Sequence, residues 1–380
     1  MLKNKVFKHF FVFLVLLITG LSCTNSDDET SYPRFSDQKV QEFRQIVNAI
    51  MEEENVPGLV VTVRVPGEGY WTEAFGKSNL ETGETLELND KFRMGSITKT
   101  YTVTVLLQLV DEGKIQLDDP LSLYMPDFPN SEAVTIRNLA SNSSGIFDYT
   151  HDETFIEILE NDIQTYFSPS QLVEFAKNHP PLFPPGTKYS YSNTNFVIIG
   201  MIIEQITGNS LNEEFENRIF KPLGLKNTSY PDGNSIPAPY THGYMATNDE
   251  DELYDVTEIN PSIAGSAGAM ISDLEDVCTW CEALVSGALL TPQTQQERLK
   301  LNGFSDENKN LKYCLGIYYM GDFLGHDGSI FGYNTAMFYL PSRNATIVIL
   351  SNKQCGSSLS IFMKLAENLF PEESNWSKKK

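Results

Sequence analysis

Strand-forming runs stand at the two ends of this 380-residue chain, and helical patterns fill the span between them. "GLVVTVRV" (58–65) and "GYWTEAFG" (69–76), joined across Pro66-Gly67, read as a β-hairpin. "KYCLGIYYM", "YNTAMFYL" and "ATIVILSN" follow only after residue 310. A sheet that takes strands from both ends is closed by both ends, so the segment between them is an insertion. The expected fold class is therefore α+β. An antiparallel sheet is flanked by an N-terminal helix over 36–54 and a C-terminal helix over about 358–369. An all-helical lobe, about 115–262, completes it, with a site in the cleft between the two parts. Val40, Phe43, Ile46, Val47 and Ile50 give the first helix one apolar face. The folded domain is expected over 35–370, with 371–380 a tail.

One buried-looking helix carries a chemical oddity. "RMGSITKTYTVTVLLQLVDEGKI" (93–115) starts its helix near Ser96 and stops at Gly113, yet places a lysine in its first turn. Ser96 and Lys99 share one helix face, about one turn apart. A hydroxyl is a weak nucleophile until a neighbouring base takes its proton. A lysine serves as that base when burial or nearby cations bring its pKa toward neutrality. Ser-x-x-Lys alone is cheap, because Ser36–Lys39 and Ser377–Lys380 repeat it. Two rarer patterns raise its weight. Tyr191-Ser-Asn193 is the only Tyr-x-Asn despite 17 tyrosines, and His326-Asp-Gly328 is the only His-x-Gly.

In this order and spacing the three motifs resemble the penicillin-recognising serine hydrolases. Within that group the likeness is to class C β-lactamases and the related serine D-alanyl-D-alanine carboxypeptidases. "LLQLVDEGKI", "SSGIFDYT", "YSYSNTNFVIIGMIIEQITG", "RIFKPLGL" and "SAGAMIS" look like that family's connecting segments, so the resemblance spans roughly residues 36–369. It implies a β-lactamase/transpeptidase-like fold and catalysis through an acyl-enzyme. Ser96 would be the acylated nucleophile, Lys99 would share its proton traffic, and Tyr191 would be the second acid/base group. Asn193 would donate to the substrate's amide carbonyl and orient Lys99. His326 stands where relatives carry Lys or His and would contribute electrostatically, and Gly328 would let an inner strand pass close to the substrate. The backbone N–H groups of Ser96 and Ser329 would form the oxyanion hole. The pattern departs in two places. An arginine expected after "LG" to hold a terminal carboxylate is replaced by Tyr318 and Tyr319, with His326 a partial substitute. Asp327 stands where many carboxypeptidases have threonine.

The resemblance implies, first, a D-alanyl-D-alanine carboxypeptidase or D-amino-acid peptidase on peptidoglycan-type peptides. A β-lactamase or small-ester hydrolase is the enzymatic alternative, and a surface lipoprotein that binds cell-wall fragments without turnover is the non-enzymatic one. Expected partners are a small peptide, a β-lactam or an ester, and the domain is expected to be a monomer. No cofactor and no metal are implied: His-Glu-x-x-His, Gly-x-Ser-x-Gly, a P-loop and a dinucleotide fingerprint are all missing from the sequence. A formal charge of −22 argues against nucleic acid as a partner.

The first residues point to the cell envelope. "FFVFLVLLIT" (10–19) behind Lys3, Lys5 and Lys8 has the layout of a secretory signal, expected over 1–22, and is too short for a membrane span. "GLSC" resembles a bacterial lipobox, which makes Cys23 the expected site of lipid attachment. The polar, acidic stretch behind it reads as a flexible tether over 23–34. The expectation is a bacterial lipoprotein anchored to a membrane on its periplasmic face or at the cell surface. Cys278-x-x-Cys281 lies in a helical pattern and reads as core packing rather than a redox pair.

Overall fold

The computed structural model describes residues 33–247, 252–301, 305–306, 311–354, 356–374 and 376. The signal, Cys23, nearly all of the tether, Cys355 and Ser377–Lys380 lie outside the described residues. The sheet has eight strands in the order Gly69–Gly76, Gly58–Val65, Ala345–Ser351, Tyr333–Leu340, Phe323–Ile330, Tyr318–Met320, Leu311–Tyr313 and Ser305–Asp306. Every neighbouring pair is antiparallel. The N-terminal hairpin thus pairs directly with the last strand, Leu59 opposite Ser351 and Arg64 opposite Thr346. Both chain ends do close one sheet.

Helices cover both faces of that sheet. On one face Phe362, from the C-terminal helix Ser357–Leu369, stacks on Phe338 with ring centroids 4.1 Å apart. On the same side the N-terminal helix Asp37–Glu53 packs against the C-terminal helix and sets Phe43 5.3 Å from the Trp71 ring. On the other face Thr346 donates to Glu282 of the helix Leu274–Ser286 at 3.0 Å. With no face left to water, all seven residues of Ala345–Ser351 are buried, which is why that strand is apolar without alternation. Each fully buried Ile, Val or Leu there contributes about 1.5–3 kcal/mol. Cys278 and Cys281 are buried free thiols in the same layer, as their helical spacing implied, and burial pushes the Cys278 thiol up to about 12.

Two helices are buried on all sides through their N-terminal turns. Thr98–Asp111 is buried from Thr98 through Leu107, and Asn193–Thr207 is buried from Thr194 through Gly200. The threonines of the first return their hydroxyls to their own backbone: Thr100 to the Ile97 carbonyl at 2.7 Å and Thr104 to the Thr100 carbonyl at 2.6 Å. A polar "TYTVT" can therefore be buried. The turn ahead of that helix, Gly95–Ile97, packs on strands Phe323–Ile330 and Tyr333–Leu340, while the helix itself packs on Asn193–Thr207.

Two expectations are revised, and one discounted motif is explained. "KYCLGIYYM" is two short strands, because Gly316 takes φ +67° and the Cys314 N–H closes on the Ile317 carbonyl at 2.8 Å. The inserted segment is not wholly helical; Tyr244–Ala246 and Leu253–Asp255 form a small antiparallel ribbon, pinned by a 2.6 Å contact between His242 and Asp255. Ser36, in the second Ser-x-x-Lys, is a helix N-cap that accepts the Lys39 backbone N–H at 3.3 Å. No helix among the described residues is long and apolar enough to cross a membrane.

Candidate active site

Ser96 is fixed by its neighbours before any side chain acts. Gly95 has φ +54°, and a Cβ there would lie 2.7 Å from the Ser329 nitrogen. A Cβ on Gly328 would lie 2.1 Å from the Met94 carbonyl oxygen and 3.1 Å from the Ser96 nitrogen. Two glycines thus let the turn and the strand cross at backbone distance, bringing the nitrogens of residues 96 and 329 to one spot. Thr335 holds the crossing from the next strand by donating to the Met94 carbonyl at 2.9 Å, and Met94 donates to Met270 at 2.8 Å.

Tyr191 and Asn193 arrive from the far side of the fold. Asn142, at φ +55°, accepts the Ser190 N–H at its carbonyl (2.9 Å) and the Ser192 N–H at its side chain (3.1 Å). That clamp ends the chain's extended run and starts the helix at Asn193. The Tyr191 hydroxyl then donates to Ser96 Oγ at 2.7 Å. Lys99 Nζ lies 2.9 Å from Ser96 Oγ, 2.7 Å from Asn193 Oδ1 and 2.8 Å from the Ala267 carbonyl oxygen. It sits over the rings of Tyr191 and Phe196 at 4.9 and 5.2 Å.

The electrostatics assign protons to this cluster. Lys99 is wholly buried, and burial pulls its pKa down to about 7 against the opposing pull of Asp148 and Asp327. As an ammonium it donates one N–H to each of its three oxygen neighbours. As an amine it keeps the donations to Asn193 and Ala267, and its lone pair faces the Ser96 hydroxyl. Burial likewise drives the Tyr191 phenol well above its usual pKa, so at neutral pH it is a proton donor to Ser96 Oγ.

His326 behaves otherwise than expected. Its Nδ1 lies 2.5 Å from the Asp327 carbonyl oxygen and its Nε2 lies 3.0 Å from the Tyr313 hydroxyl. A carbonyl only accepts, so Nδ1 carries the proton and Nε2 accepts from the phenol. The ring is 1% exposed and burial lowers its pKa to about 4. It is neutral at physiological pH and cannot replace the missing arginine's charge. Tyr318, one of the residues at the arginine's place, is buried and donates to Asp327 Oδ1 at 2.7 Å.

Sequence reasoning missed Asp148 and the Ala267 carbonyl. Asp148 accepts from Asn193 Nδ2 at 2.9 Å, which turns the amide oxygen toward Lys99. Both lie in "SSGIFDYT" and "SAGAMIS", so their segments were visible although their roles were not.

A hydroxyl gripped by a buried amine and a phenol, beside two converging backbone N–H groups, defines a serine hydrolase of the penicillin-recognising type. The chain belongs to the beta-lactamase family, whose model matches residues 43–361. Among curated relatives, an unguisins hydrolase of Aspergillus campestris is 26% identical over 344 residues, covering 84% of this chain and 62% of its own. A D-aminopeptidase of Brucella anthropi is 29% identical over 318 residues, covering 82% and 59%. The chain therefore spans about three fifths of the length of these relatives. Among solved structures, a D-stereospecific amidohydrolase from Streptomyces has a TM-score of 0.77 at 34% identity, covering 87% of this chain and 98% of that one. An octameric penicillin-binding protein homologue from Pyrococcus abyssi shares the fold, with a TM-score of 0.77 at 23% identity over 88% of this chain and 78% of that one.

Proposed function

We propose that this chain is a serine peptidase or amidase that cleaves peptide-type bonds at D-amino acids through an acyl-enzyme on Ser96. The observation that carries the reading is Ser96 Oγ within hydrogen-bond reach of both Lys99 and Tyr191. Lys99, as the amine, takes the Ser96 proton while Oγ attacks the substrate carbonyl carbon. The developing oxyanion is met by the N–H groups of Ser96 and Ser329. The leaving amine departs with the proton held by Lys99, relayed through the Tyr191 hydroxyl, and Ser96 is left as an ester. Water then attacks that ester, gives its proton to the same pair, and Ser96 regains its hydrogen.

The D-stereochemistry rests on the two relatives named for it. The narrower expectation of a D-alanyl-D-alanine carboxypeptidase is less favoured, because it asks for a cation to hold a terminal carboxylate. Lys99 is engaged by three oxygens, His326 is neutral, and tyrosines stand at the arginine's place. Lipid attachment at Cys23 and an envelope location complete the proposal; the mass of the mature N-terminus and membrane fractionation test them.

Intact-mass analysis with a labelled β-lactam, followed by D- and L-aminoacyl amides, tests the enzyme. An adduct on Ser96 and turnover of the D series are expected, with both abolished in Ser96→Ala. Full turnover by Ser96→Ala would reject the assignment. Rapid release of opened β-lactam with no amidase activity would favour the lactamase alternative.

A further inference from the structure

The strand that borders the site has a free edge. Phe323–Ile330 pairs with Tyr318–Met320 only through Phe323, Leu324 and Gly325, so among the described residues its outer edge is unpaired from His326 onward. Side chains along a strand alternate between faces. His326 and Gly328 turn inward and are buried, whereas Asp327 and Ser329 turn outward; Ser329 is exposed and the Asp327 side chain is 37% exposed. Asp327 therefore stands on the same open side as Ser329 and two residues back, roughly 7 Å along the strand. A carbonyl bound at the Ser329 nitrogen therefore has this carboxylate on its own side of the strand. Asp327 is also held ready. Tyr318 donates to its Oδ1 at 2.7 Å, which fixes a carboxylate that is still 37% exposed.

The charges around it have one sign apart from Lys99. In the hydrogen-bonded network around Ser96 among the described residues, Lys99 is the one cationic side chain, and its N–H groups are taken. Asp148 is turned to Asn193, and the imidazole beside Asp327 gives its Nδ1 proton to a carbonyl. A carboxylate brought here meets Asp327 with only the buried, fully engaged Lys99 to offset it, while an ammonium meets a fixed, half-open acceptor.

We propose that Asp327 is the charge selector of this site: it receives a substrate ammonium and turns carboxylates away. The preferred substrates are then D-aminoacyl amides or peptides with a free amine near the scissile bond. This rests on the function proposed above and names its substrate class.

The test uses three probes whose charge steps from positive through neutral to negative: D-alanine 4-nitroanilide with its free ammonium, the N-acetyl form and the carboxylate-bearing N-succinyl form; the Asp327 variants separate charge from bulk. For the wild-type chain kcat/KM should fall in that order, and the spread should narrow in high salt. Asp327→Asn, whose amide oxygen can still accept from Tyr318, should shrink the ammonium-to-carboxylate ratio about tenfold or more. Asp327→Lys should reverse the order. Unchanged ratios in both variants overturn the proposal. Loss of all turnover in both overturns it too, in favour of a catalytic role for Asp327. If the wild-type chain cleaves the three probes equally, charge selection alone falls; if it cleaves none while Ser96 still acylates with a β-lactam, the D-aminoacyl substrate class falls with it, and without that adduct the proposed function falls too.

Discussion

At the scale of single residues, the arrangement turns on which group accepts the first proton. Burial brings Lys99 down to about 7 and drives Tyr191 well above its usual value, which supports the proposed roles of Lys99 as base and Tyr191 as donor. Because a depressed lysine pKa leaves the amine dominant above pH 7, kcat/KM should rise with pH through an apparent pKa near 7, measured on an uncharged substrate. Asp148 opposes that depression, so Asp148→Asn should move the rising limb to lower pH. Asp148→Ala also frees the Asn193 amide and should lower kcat on the order of 10²-fold. An unmoved limb would contradict the charge effect on Lys99, and an undiminished kcat in Asp148→Ala would contradict the positioning role. Ser96, Lys99 and Tyr191 were legible because two of them share one helix turn and the third sits in a tripeptide found once. Asp148 was not, since a single aspartate in a loop bears no spacing relation to the helix it serves.

At the scale of elements, the N-terminal hairpin and the strands Tyr333–Leu340 and Ala345–Ser351 were legible from their runs of β-formers between turn signals. The strand carrying His326 was not. "FLGHDGSI" has two glycines and an aspartate, a poor strand by local preference, and it extends because its neighbours and the Gly95 turn hold it. Those glycines are what the chemistry needs. Gly328→Ala would drive a methyl group into the Met94 carbonyl, so the turn and strand must part. It should cost about 1–3 kcal/mol in denaturant unfolding and most of the turnover. Wild-type stability and rate in that variant would mean that the two backbones are not so close.

At the scale of the whole molecule, the sheet ties the chain's beginning to its end. A chain ending at residue 344 lacks the strand that joins the hairpin to the rest and the helix that covers Phe338. It should show no cooperative thermal transition and be cut throughout by protease, where the full chain melts as one unit. The closure by both ends was legible because it follows from where the strand runs fall. The small ribbon in the helical segment was not, because its acidic sequence favours surface over strand. One further consequence follows from the lysine packed between the buried turns of two helices. Reagents that methylate or acylate amines will decorate the outside of this molecule and pass this nitrogen by, since no probe reaches it and each of its hydrogens already has a taker. Surface lysines can therefore be blocked chemically, for crystallisation or immobilisation, with the base at the centre left intact.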